Sequence, residues 1–114
     1  FDYIGREGNA MPMEEINELR DCLVAQLSPL KVYLFGSYAD GAFDENSDFD
    51  FYIIVDDSHT DLLALLKLAY KSVRSVKKRP VDILIGTNSI FEARKHQLSV
   101  ENEVFRKGVL LYAS

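Results

Sequence analysis

Seven residues near the middle of the chain, Phe49–Val55 (FDFYIIV), constrain its fold more than any other stretch. The aromatic and β-branched content predicts a strand, whose side chains point to opposite faces in turn. Phe49, Phe51, Ile53 and Val55 then share an apolar face, while Asp48, Asp50 and Tyr52 share the other. Such a strand belongs in a sheet that is covered by helices on its apolar side.

The rest of the chain supplies those partners. Pro12 suits a first helical turn, and Met13, Ile16, Leu19, Leu23 and Leu27 recur at helical spacing until Ser28–Pro29 ends the run. Glu14, Glu15 and Glu18 lie near the start, where the helix dipole favours acids. Leu30–Phe35 (LKVYLF) reads as a buried strand that Gly36 breaks, with a possible helical turn over Ser37–Ala39 closed by Gly41. Leu62–Val76 is predicted as an amphipathic helix, with Leu62, Leu65, Leu66, Ala69, Val73 and Val76 inward. Arg79–Pro80 marks a turn into a third strand, Val81–Ile85 (VDILI). Ser89-x-x-Glu92 suggests a capping box for a helix to Gln97, and Val100–Lys107 a last helix with Gly108 past its end. Val109–Tyr112 closes the chain as a short apolar segment. The expected class is α+β, a small mixed sheet flanked by helices. Residues 1–10 read as a tail or cloning remnant, and residues 11–114 as one domain, consistent with a chain of 114 residues.

Charge is distributed unevenly. The net charge of -5 argues against a dedicated nucleic-acid binder, which is usually basic. Val32–Leu66 contains eight acids and no Lys or Arg, whereas Leu62–Val81 contains six cations and no acid. Lys67, Lys71, Arg74 and Lys78 form one helical stripe, either a solvated face or a surface for an acceptor or partner. The acidic centre suits cations. Cys22 stands alone, which rules out an internal disulfide and a cysteine-rich zinc site, and fits a small buried or half-buried apolar place on the first helix. His59 and His96 are isolated and read as structural or solvent-exposed. No apolar run approaches the roughly 18 residues that span a bilayer, and the expected location is cytoplasmic.

The chemistry-bearing residues are Phe35-Gly36-Ser37 and Ser47-Asp48-Phe49-Asp50. A glycine at a strand end lets the backbone approach a ligand, and the turn after it offers amides and the Ser37 hydroxyl to phosphate. Ser37 could equally cap the short helix. Asp48 and Asp50, two apart on a strand, project from one face; such neighbouring carboxylates call for solvent or a cation, and hard oxygen donors suit Mg2+ or Mn2+. Asp82, in the apolar VDILI run, lies opposite the face of Val81, Ile83 and Ile85, and a third carboxylate converges if its strand neighbours the second. Divalent cations there could clamp a triphosphate and activate a hydroxyl. Tyr52 shares the face of the acids and either lines the nucleotide pocket or packs at the surface. Asp44-x-Asn46-x-Asp48 resembles an EF-hand start but is followed by Phe49 and Val55 where Gly and Glu are required. The chain has no P-loop motif either.

Leu34-Phe35-Gly36-Ser37-Tyr38-Ala39-Asp40-Gly41 followed by Asn46-Ser47-Asp48-Phe49-Asp50-Phe51 resembles the signature of the minimal nucleotidyltransferases, of the DNA polymerase beta-like superfamily. Val81-Asp82-Ile83 resembles that family's third-acid strand, and Phe105–Tyr112 its usual end. Asp40 stands where many relatives carry Arg, so no basic phosphate contact carries over to it. The resemblance implies the polymerase beta-like fold and an enzyme that transfers a nucleoside monophosphate, with AMP from ATP as the expected donor chemistry, to a hydroxyl acceptor with loss of pyrophosphate. It implies that Asp48, Asp50 and Asp82 are the catalytic acids and hold Mg2+ or Mn2+, and that Gly36 and Ser37 hold the β and γ phosphates. Stand-alone members resemble antitoxins that bind, and adenylylate, a helical toxin of the HEPN class. A partner of that kind is therefore an alternative reading, with nucleic acid entering only as an acceptor. A catalytically inactive binding module is the least favoured, since the acids and Gly36-Ser37 are intact.

Overall fold

A computed structural model describes residues 10–114, so the expected tail before Ala10 lies outside the described residues. Nine elements follow in order: α1 (Met13–Leu27), β1 (Lys31–Phe35), α2 (Ser37–Asp40), β2 (Phe49–Val55), α3 (Leu62–Val73), β3 (Val81–Thr87), α4 (Asn88–Arg94), α5 (Val100–Lys107) and β4 (Val109–Ala113). The strands form one mixed sheet in the order β3-β2-β1-β4. β1 runs antiparallel to β2 and β4, and β2 runs parallel to β3, with α3 as the crossover.

The alternation in β2 separates two cores. Phe49, Phe51, Ile53 and Val55 are fully buried against Ile16, Leu19, Leu23 and Leu27 of α1 and Ala69 and Val73 of α3. Each such aliphatic side chain contributes about 1.5–3 kcal/mol by leaving water. Val81 and Ile83 extend this core, and Leu62, Leu65, Leu66, Val76 and Ile85 pack at its edge. On the opposite face, α4 and α5 cover a smaller core of Phe35, Tyr52, Ile54, Phe91 and Val104. Cys22 is half-buried, one of the two placements its helical position suggested.

The differences from the sequence expectations are local. The closing apolar segment is a fourth strand, an edge strand beside β1 with a register shift between Val32 and Tyr33. Helix α3 ends at Val73; beyond it the Arg74 and Val76 amides bond back three residues, and Val76 still reaches the core. Strand β3 continues to Thr87, and the cap of α4 is Thr87 rather than Ser89. The Thr87 hydroxyl accepts from the Ile90 amide. The Ser89 amide instead donates to Asp57 Oδ1 at 2.9 Å, and its hydroxyl donates to the other carboxylate oxygen, tying the exit of β2 to α4.

Tyr52 neither lines a pocket nor packs at the surface. Its ring is 1% exposed and tilted against Phe91, and its hydroxyl donates to Glu101 Oε2 at 2.7 Å. Arg94 Nε donates to the other oxygen of this buried carboxylate at 2.8 Å. Burial alone would raise the Glu101 pKa, but the hydrogen bonds from Arg94 and Tyr52 outweigh it and leave it lowered. A lowered folded pKa adds stability above the unfolded glutamate value, and that stability is lost as pH falls through the folded pKa. Tyr52→Phe is expected to cost about 1–3 kcal/mol in denaturant unfolding, since it leaves a buried charge short of a donor. Melting temperatures followed below pH 5 should fall less steeply for Glu101→Gln than for the wild type. Parallel pH curves would show that this network does not couple to acid unfolding.

Candidate active site

The sheet register builds the site. Asp50 of β2 pairs with Phe35 of β1 on one side and with Asp82 of β3 on the other. The glycine after Phe35 therefore lies beside Asp50, and three chain segments meet along one line. Gly36 has φ +72° and ψ -151°, a conformation that residues with a Cβ rarely adopt. A Cβ there would run into the Asp50 carboxylate, with Asp50 Cγ only 3.1 Å away. The glycine thus serves both a turn and a close approach. After it, Ser37 is the first residue of α2 and Gly36 the cap position, so the capping role considered for Ser37 belongs to Gly36. Gly41 ends the turn with φ +81°.

The acids differ in their surroundings. Asp48, just before β2, is exposed, as is Asp82, while Asp50 is only partly exposed. Burial, then the charges of Asp82, Asp48 and Glu103, push the Asp50 carboxyl up to about 6, and a hydrogen bond with Asp82 adds to the rise. Asp50 and Asp82 thus sit side by side on adjacent strands. Among the described residues no three His, Cys, Asp or Glu side chains converge tightly enough to enclose a metal ion. The donor chemistry fits a hard divalent cation: every group is a carboxylate, and the neighbouring acids add negative charge at Asp50.

Two contributors had no distinguishing mark in the sequence. Glu103 of α5 adds negative charge at Asp50, but in VENEVFRK it reads as one more helix-surface acid. Arg79, the last cation of the basic run, is turned inward against Glu15, Tyr38 and Phe49. The stripe residues Lys67, Lys71, Arg74 and Lys78 are all exposed and make no ion pair among the described residues. His59 is half-buried and His96 exposed, its ring edge-on to Phe105.

A family model described as a nucleotidyltransferase domain matches residues 16–111, from within α1 to within β4. The chain belongs to the nucleotidyltransferase domain family. It is a nucleotidyltransferase with the polymerase beta-like mixed sheet. No curated protein matches it in sequence. Solved structures of toxin–antitoxin complexes share the fold. A mutant MntA–HpeT complex aligns with a TM-score of 0.61 at 24% identity, covering 87% of this chain and 72% of that one. A second mutant, with two aspartates two positions apart changed to glutamate, gives 0.57 at 23% over 86% and 73%. A toxin–antitoxin complex with AMP-PNP gives the same values. Identities this low speak to the fold of this nucleotidyltransferase. Among its described residues, no helix is long and apolar enough to cross a membrane.

Proposed function

We propose that this nucleotidyltransferase moves AMP from ATP to a hydroxyl acceptor, with pyrophosphate leaving, and that Asp48, Asp50 and Asp82 hold the Mg2+ or Mn2+ the reaction requires. The observation that carries the proposal is the pairing of Asp50 with Asp82 on adjacent parallel strands, directly beside the Gly36 turn. A divalent cation held by these carboxylates supplies charge neutralisation on the phosphates. The chain's own groups do the rest. The amides after Gly36 and the Ser37 hydroxyl hold the β and γ phosphates. The acceptor oxygen attacks the α phosphorus, the bond from that phosphorus to the β-phosphate bridging oxygen breaks, and the acceptor's proton passes to Asp82. Asp50, pushed up to about 6 in the free protein, is poised to ionise fully once positive charge arrives. Positioning and electrostatic stabilisation account for most of the rate gain in this design.

A second reading is favoured by the toxin–antitoxin neighbours. In it the acceptor is a partner protein, a toxin of the HEPN class, which the chain binds and adenylylates. The two readings are compatible, and one experiment tests both. Label transfer from α-labelled ATP with Mg2+ in a lysate of the source cells should mark one acceptor band, and the Asp48→Ala/Asp50→Ala double variant should mark none. A labelled protein that co-purifies with the chain supports the toxin reading, whereas a labelled RNA overturns it. A band that survives in the double variant, or in excess chelator, refutes the metal-dependent mechanism.

A further inference from the structure

We propose that Arg79 is a positioning residue for the nucleotide site, one guanidinium that holds the Gly36–Ser37 turn, the Asp48–Asp50 segment and the Asp82 strand in mutual register. The inference rests on the nucleotidyl-transfer reading above. Arg79 is the only member of the basic run from Lys67 that enters an ion pair among the described residues. Its Nε and Nη2 donate to the two oxygens of Glu15 on α1, at 3.1 and 3.0 Å, a bidentate fork. Its Nη1 donates to the Tyr38 hydroxyl, which in turn donates to the Asp44 carbonyl at 3.2 Å. Its planar face lies 4.6 Å from the centre of the Phe49 ring and 5.7 Å from that of Tyr38.

The contacts to Tyr38 and Phe49 each land one residue from a site group. Tyr38 follows Ser37, and Phe49 separates Asp48 from Asp50. The two rings pack on each other at 4.8 Å. Asp44 opens the loop that leads to Asp48, and its amide donates to the Ser47 hydroxyl at 3.0 Å, which ties the loop to itself. Arg79 itself lies in the turn just before β3, three residues ahead of Asp82, and the Phe49 amide donates to the Pro80 carbonyl at 3.2 Å. The guanidinium is 22% exposed and Glu15 15%, so water does not dissolve the pair. Asp48 is exposed and Asp50 and Asp82 repel, which leaves the acids unable to fix their own spacing; the guanidinium supplies that order from behind. A lysine could keep the charge beside Glu15, but not the fork to Glu15 and the plane over Phe49 together.

The experiment measures Mg2+-dependent binding of a non-hydrolysable ATP analogue by calorimetry, with circular dichroism and thermal unfolding of each nucleotide-free protein alongside. Arg79→Lys should keep the fold and weaken binding about tenfold, a 1.4 kcal/mol difference by the affinity scale. Glu15→Gln leaves the guanidinium on the rings but loosens its anchor, and should weaken binding about threefold on the same scale. It keeps the test open if Arg79→Lys does not fold. Wild-type binding with both folded variants within twofold of it overturns the positioning role alone, as a purely structural residue would lower the melting temperature without changing affinity. Absence of wild-type binding overturns the nucleotide reading and the positioning role with it.

Discussion

Asp50→Asn is expected to abolish nucleotidyl transfer and, at the same time, to make the metal-free protein more stable. Transfer should fall by about 10³-fold or more, since the loss of a single transition-state electrostatic contact already costs 10²–10³. The stability gain has a separate origin. Burial and the neighbouring acids raise the folded pKa of Asp50 from 3.8 to about 6. With the folded value above the unfolded one, the favourable contribution is complete below the unfolded pKa and is lost as pH rises through the folded pKa. At pH 7 the ionised carboxylate therefore opposes folding, by about 1–2 kcal/mol once solvent screening of this partly exposed group is allowed for. An amide removes that charge and still donates a hydrogen bond to Asp82. In chelator-treated protein at pH 7 the melting temperature should rise by about 3–8 °C, and the difference from wild type should vanish below pH 4. A variant that transfers within tenfold of wild type would remove Asp50 from the mechanism. An unchanged melting temperature would show that the acids do not store repulsion.

Gly36→Ala should fold and yet lose metal-dependent nucleotide binding. The backbone conformation, φ +72° and ψ -151°, costs a residue with a Cβ about 1–3 kcal/mol. The new methyl would also occupy the place of Asp50 Oδ2. That oxygen is the end of a rotatable side chain, so the fold survives by swinging the carboxylate away from Asp82 and the turn. Stability falls modestly while the site is dismantled. Gly41→Ala is the control: φ is +81°, but nothing lies within 4 Å of the added Cβ. It should cost about 1 kcal/mol of backbone strain and leave nucleotide affinity unchanged. Equal losses of affinity in the two variants would mean that the turn's strain, and not its approach to Asp50, governs binding.

Periodicity and chemistry within single segments were enough to predict much of this protein. The 3.6-residue spacing of Ile16, Leu19, Leu23 and Leu27 predicts α1, and the two-residue alternation of FDFYIIV predicts β2 with its actual bounds. Gly36, Asp48, Asp50 and Asp82 stood out because acids and glycines at strand ends have few structural reasons to be there. These are properties of a local chain, set by side-chain direction and backbone sterics. The tertiary structure alone decided the rest, because those outcomes depend on which distant segments meet. The apolar run Val109–Ala113 became a strand when β1 offered it an edge. Tyr52 was buried because α4 and α5 fold over its face and bring Glu101 to its hydroxyl. The cap of α4 moved to Thr87 as Asp57 claimed Ser89. Arg79 read in sequence as a turn residue at the end of the basic run, and only packing across 64 residues of chain set it against Glu15. Asp50 met Asp82 for the same reason: each strand predicts where its own acid points, but only the parallel pairing of β2 with β3 puts the two carboxyls side by side.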